Sequence, residues 1–210
     1  MPLQNRVDPW GQIQAVNARG TLLGNRGILH NGKKEIVAHW RTKAWITCRL
    51  AWKGKTRTIM SPGSYTELFF LDEATAFSAG HRPCAECRRE RFQEFKAAWI
   101  AANAEFSVSP VPPISAIDKV LHAERVRRGG AKVTYEAELG TLSDGTMVEI
   151  ADTAYLIWGK RLLQWSFASY TEIEEPYPLQ RRVQVLTPAS IVRVFSNGFR
   201  PEVHESAQRE

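Results

Sequence analysis

Apolar and polar side chains alternate between Trp45 and Trp52. Ile46, Cys48, Leu50 and Trp52 fall on one side, with Trp45, Thr47 and Arg49 on the other. A two-residue period predicts a strand with one buried face. Residues 20–29 read as an earlier strand, followed by a turn at Asn31 and Gly32 and a second strand from about Glu35. Lys53, Gly54 and Lys55 predict another turn, with residues 56–60 returning as a strand that Ser61, Pro62 and Gly63 end. Residues 65–71 form a short apolar strand. Asp72 then caps a short helix over residues 73–79, closed by Gly80.

The period then lengthens. Phe92, Phe95 and Trp99 stand at helical spacing, and Pro83 suits the first turn of that helix. Such an aromatic stripe reads as core packing. The proline-rich stretch 107–113 reads as a connection and a subdomain boundary. Ser115 with Asp118 fits a capping box, so a third helix runs to about Arg128, where Gly129 and Gly130 stop it. Residues 132–139 alternate again, and Asp144 with Gly145 is a hairpin signal. Residues 154–158 and 161–165 flank a tight turn at Gly159 and Lys160. A last strand at 183–186 precedes a final helix with Thr187 as cap, Pro188 at its first position and Gly198 at its end.

The predicted class is α+β. Residues 1–106 form a basic, β-rich region of hairpins with a cysteine knuckle and a helix. Residues 114–210 form a mostly antiparallel β half with two helices, and the two halves are compatible with one shared core. Residues 1–5 and 204–210 are polar and read as loose ends.

Charge sharpens this picture. The net charge is +6, yet residues 1–57 hold eleven Lys or Arg against two acids, and the remainder is slightly acidic. A local basic excess suits a polyanion partner, or a solvated face. No apolar run approaches the roughly 18 residues that span a membrane, and the N-terminus lacks a signal-peptide pattern. Three cysteines are an odd count for a disulfide framework. A reducing cytoplasm is the expected location.

The strongest local signal is Gly80-His81-Arg82-Pro83-Cys84-Ala85-Glu86-Cys87. Two cysteines with two residues between them can present both sulfurs to one ion, and a helix start would favour thiolate. Sulfur and imidazole in a tetrahedral set suit zinc. Residues 67–87 run as an apolar strand, a short helix rich in Glu and Ala, then Ala-Gly-His-Arg-Pro-Cys-x-x-Cys. This order resembles the second half of the Ada-type metal-binding domain, the methylphosphotriester domain of DNA repair. The resemblance implies a zinc site, DNA as partner and, in one version, a cysteine that accepts a methyl group.

The chain departs from the family pattern at two points. Only Cys48 stands upstream where the family has two cysteines, and His81 stands where it has Phe or Tyr. Cys48, Cys84, Cys87 and His81 are therefore the expected zinc ligands, with His30 and His39 as further candidates. Nine extended residues would carry His39 roughly 30 Å from Cys48. Cys48 could equally be a simple buried cysteine, and His81 could merely fill the aromatic slot.

Eight basic residues and one acid lie between Lys33 and Arg57, with Trp40, Trp45 and Trp52 interleaved. Cations pair with phosphates and indoles stack on bases. Arg41, Lys43, Trp45, Arg49, Lys53, Lys55 and Arg57 are the expected nucleic-acid contacts, with Trp45 as the exposed platform and Trp52 in the core. Asp118 and His122 are four apart on the third helix, beside Glu124 and Arg125, and could form an oriented acid–base pair or a solvated face. His204 and Glu205 read as tail.

The function expected is a zinc-stabilised nucleic-acid-binding protein directed to DNA. The alternatives are an enzyme acting on nucleic acid, as a nuclease or by repair that includes alkyl transfer to Cys48, and a structural zinc module.

Overall fold

The computed structural model describes residues 1–54, 58–106, 109–173 and 177–208. Two six-stranded, mostly antiparallel sheets and four α-helices make an α+β fold.

The first sheet is built from β1 (Arg6–Val7), β2 (Ile13–Gln14), β3 (Leu22–Asn25), β4 (Ile46–Arg49) and β5 (Leu68–Phe70), with β6 introduced below. After β5, Asp72 caps α1 (Glu73–Ser78), its side chain accepting from Thr75 N at 2.8 Å. Gly80, at φ +81°, ends this segment. β6 (Arg82–Pro83) then lies parallel to β4, and α2 (Arg89–Ala102) follows. The strand order is β2-β1-β5-β3-β4-β6. Pro83 thus belongs to a sheet edge rather than to a helix. A proline lacks the N–H that a ladder uses, and an edge tolerates this.

Next come α3 (Ile114–Arg125), β7 (Tyr135–Glu138), β8 (Met147–Ile150), β9 (Thr153–Trp158), β10 (Arg161–Trp165), β11 (Tyr170–Glu172), β12 (Arg182–Val185) and α4 (Ala189–Ser196). The second sheet runs β11-β10-β9-β8-β12-β7. The β9–β10 hairpin turns at Gly159 and Lys160 as expected, both at positive φ, with Arg161 opposite Trp158.

Other expectations change. The hairpin around Asn31 and Gly32 shrinks to one bridge between His30 and Ile36. Residues 59 and 60 form a turn, and residues 56 and 57 of that expected strand lie outside the described residues. Asp144 and Gly145 do not join neighbouring strands, because β7 pairs with β12. Ser115 caps nothing, since α3 starts after Pro113 without a side-chain cap. Thr187 accepts from Met147 N at 2.9 Å instead of capping α4. The C-terminal segment is packed rather than loose: His204 N donates to Asp72 Oδ2 at 3.0 Å, and Ala207 is fully buried.

Apolar burial drives the assembly. One cluster joins Leu71 and Ala74 to Leu156, Leu163 and Trp165 of the second sheet. Another packs Phe77, Phe95 and Trp99 against Leu121, Val194 and Phe195. Both clusters draw on residues from either side of the 107–113 connection. No helix among the described residues is long and apolar enough to cross a membrane.

Candidate metal centre

The parallel pairing of β4 with β6 builds the centre. Cys84 N donates to Thr47 O at 2.9 Å, which sets Cys84 beside Cys48 on β4. The chain turns through Ala85 and Glu86, and Arg88 N donates back to Cys84 O at 3.2 Å. This brings Cys87 onto the same point. The Sγ atoms of Cys48, Cys84 and Cys87 all lie within 4.8 Å of one another. None is in a disulfide, and the side chains pack with Leu23 and the half-buried Trp52 and Phe69.

Buried ion pairs hold the turn. Arg88, next to Cys87, reaches Glu73 of α1 at 2.8 Å and donates to Thr47 Oγ1 at 3.0 Å. Arg91 meets the same Glu73 at 2.7 Å. The knuckle is therefore tied to α1 as well as to β4.

The sulfurs share charge unequally. A hydrogen bond from the Cys48 thiol, opposed by burial and aided by backbone N–H groups of Cys87 and Glu86, pulls the Cys84 thiol down to about 5. Glu86 N lies 3.4 Å from Cys84 Sγ. Cys48 is pushed up, first by that same hydrogen bond and then by burial. Cys87 is pushed up by burial. The N–H donors come from the turn, since α2 begins only after Cys87. One thiolate among three soft sulfurs is a site for a soft or borderline cation. Zinc–sulfur bonds of about 2.3 Å place tetrahedral sulfurs about 3.8 Å apart, and three sulfurs within 4.8 Å of one another are close enough to share one ion. The three cysteines are the only metal-ligating side chains that cluster in this way among the described residues.

The histidines stand elsewhere. His81 is fully buried, with Nε2 accepting from Arg26 Nε at 3.1 Å and its ring against Phe70 and Trp45. Burial and the nearby Arg26 and Arg125 push its pKa well down. His30 is held by Thr66 Oγ1 and Ser61 O. His39 is exposed beside Trp40.

The basic residues divide as well. Arg41, Lys43, Arg49 and Lys53 are exposed, while Lys55 and Arg57 lie outside the described residues. Trp45 is only 3% exposed and is no surface platform. Trp52, expected in the core, is half-buried and lines a groove of about 600 Å³ with Arg49, Cys87 and Arg89. The groove also carries Glu86, Glu90 and Glu94, and Lys53 Nζ sits 5.3 Å from the Trp52 ring centre.

Asp118 and His122 do not pair. Asp118 takes a bidentate contact from Arg82, and His122 Nδ1 faces Arg125 Nη2 at 3.1 Å. Glu124 accepts from Ser190 N at the start of α4. The buried arginines Arg26, Arg82 and Arg125 were not anticipated, because an isolated arginine in a sequence reads as surface. No family model, no curated protein and no solved structure matches the chain.

Proposed function

We propose that the chain is a zinc-binding protein whose three-cysteine centre adjoins a nucleic-acid-binding face. The convergence of Cys48, Cys84 and Cys87 within 4.8 Å carries this reading. Three thiolates would hold the ion and leave one position to a further ligand, since zinc prefers four. The bound ion would supply folding energy and withdraw charge from the sulfurs. The order of β5, α1, β6 and the two cysteines also agrees with the resemblance to the Ada-type domain.

Nucleic acid as the partner is supported by the basic excess in residues 1–57 and by the exposed Arg41, Lys43, Arg49 and Lys53. Trp52 on the groove is the better stacking candidate. DNA is favoured by the Ada-type resemblance alone.

The test has two stages. Plasma mass spectrometry of purified protein should find about one zinc per chain, lost in Cys84→Ala. Anisotropy with duplex and single-stranded probes should then show affinity falling steeply with salt, as phosphate contacts require. Absence of metal sinks the zinc reading. Metal without salt-dependent binding leaves a structural zinc module.

A second reading follows from Cys87 lining the groove. One of these sulfurs would take a methyl group from an alkylated phosphate, forming a thioether and releasing the phosphodiester. Intact mass after incubation with methylated DNA checks it, and an unchanged mass refutes it.

A further inference from the structure

The three sulfurs are one more than a disulfide needs. All three cysteines are free, their Sγ atoms lie within 4.8 Å of one another, and each residue is 6–9% exposed. Oxidation of any two would leave the third alone.

Access to the sulfurs comes from one side. The far face of β4 is closed. Thr47 is buried there, and Trp45 lies between the guanidiniums of Arg26 and Arg125, whose carbons are each 4.0 Å from its ring centre. On the near face, Cys87 alone of the three lines the groove of about 600 Å³. Apart from Leu22 and Trp52, every other residue lining that groove is an arginine or a glutamate. Such a lining suits a small hydrophilic molecule better than an apolar one. Arg49 and Arg89 are exposed in this groove and make no ion pair with a carboxylate among the described residues. Their cations favour negative charge that develops beside Cys87.

Contacts within the protein hold the turn that carries Cys84 and Cys87. Arg88 N donates to Cys84 O at 3.2 Å, and Cys84 N donates to Thr47 O at 2.9 Å. Arg88 meets the buried Glu73 at 2.8 Å, and Arg91 meets the same carboxylate at 2.7 Å. The ends of a four-residue turn have α-carbons under about 7 Å apart, which is within the reach of a disulfide. Cys48 belongs to a different element and is joined to this turn through the pairing of β4 with β6.

We infer that Cys87 and Cys84 form a site of reversible oxidation by a small hydrophilic hydroperoxide, and that their disulfide disables the metal centre. The second clause rests on the zinc reading; the disulfide itself does not require the metal. Sulfurs that ligate an ion are thiolates, so access decides which is attacked first. Cys87 Sγ attacks one peroxide oxygen. An S–O bond forms, the O–O bond breaks, and the hydroxide that leaves takes a proton from solvent to become water. Cys84 Sγ then attacks the sulfur of this sulfenic acid. The S–S bond forms, the S–O bond breaks, and a second hydroxide is protonated to water. The two sulfurs together lose two electrons, and the peroxide gains them. Cys48 is left as a single sulfur, too few for a site that needs four donors, so oxidation releases the ion and breaks the link from β4 to the knuckle. A thiol reductant returns the electrons and restores the set of three.

Peroxide titration of the full chain tests this. Zinc content is measured first, by plasma mass spectrometry. Hydrogen peroxide is then added, zinc release is followed with a chromogenic chelator, and free thiols are counted by alkylation under denaturing conditions. The count should fall from three to one, with zinc released in step and peptide mapping linking Cys84 to Cys87. A dithiol reductant should restore both thiols and zinc binding. Cys87→Ser should lose thiols about tenfold more slowly, since susceptibility follows exposure. Cys48→Ser, which keeps both partners, should still form the disulfide. Three thiols retained in peroxide, a link from Cys48 to Cys84, or equal rates in wild type and Cys87→Ser overturns the inference. A chain without zinc that still forms the Cys84–Cys87 link sinks the zinc reading and leaves the oxidation site standing. A chain with zinc that keeps all three thiols does the reverse.

Discussion

Arg82 and Asp118 are joined by two hydrogen bonds, Nε to Oδ1 at 2.7 Å and Nη2 to Oδ2 at 2.9 Å, with both side chains almost fully buried. The pair anchors α3 to β6, two residues ahead of Cys84. Asp118→Ala would leave the Arg82 charge buried and unmatched. We expect a loss of about 3–5 kcal/mol in urea unfolding. His122→Ala, on a half-buried ring, should cost no more than about 1 kcal/mol. Equal losses would mean that Asp118 acts through His122 after all.

Acid should weaken the fold through His122. Burial first, then Arg125 and Lys43, pull its pKa down to about 4 from 6.5. The unfolded chain therefore takes up a proton before the native one does. Stability present above about pH 6.5 is lost as pH falls toward 4. The ring is partly exposed, so water screens the effect to on the order of 1 kcal/mol. His122→Gln should flatten the pH dependence of urea midpoints across this window by that amount; identical slopes would refute it.

Gly80 leaves no room for a side chain. At φ +81°, its added Cβ would lie 2.3 Å from Arg125 Cδ and 2.7 Å from Arg125 Cβ. Gly80→Ala combines left-handed strain with displacement of a buried arginine, and about 1–3 kcal/mol is expected. For a chain of this size that is roughly 2–4 °C in melting temperature per kcal/mol, readable by calorimetry.

Metal removal should cost stability, because Cys48 and the Cys84–Cys87 turn close a long loop of chain. A crosslink over such a loop stabilises by about 3–5 kcal/mol when unstrained, which bounds the metal's share. A chelator should lower the melting temperature of wild type and leave Cys48→Ala unmoved. A chelator effect of equal size in both proteins would place the metal elsewhere.

Local signals survived the comparison of sequence with structure. The Gly159-Lys160 hairpin and the Asp72 cap were legible because each is decided by a few neighbouring residues. The C-x-x-C spacing marked Cys84 and Cys87 for the same reason, whereas Cys48 joins them only through the pairing of β4 with β6. Long-range pairing was not legible. β7 joins β12 across 43 intervening residues of chain rather than β8, and the two-residue strands β1, β2 and β6 are too short to show a period. Alternation along β4 marked two faces correctly. It could not say that both are covered, so Trp45 was placed in solvent when Arg26 and Arg125 flank it. Zinc ligands among the histidines failed to appear for a similar reason: His81 fills a hole beside Phe70 and Trp45.

β4 is buried on both sides, with Trp45 and Thr47 facing one way and Cys48 the other. A strand covered on one side survives some slippage, because the exposed face accepts whatever side chain arrives. Here a shift of one residue would drive an indole among the sulfurs and a thiol among the guanidiniums. Substitutions between positions 45 and 48 can therefore be absorbed singly, according to size. Insertions and deletions cannot, and this stretch should be the least tolerant of length change in the chain.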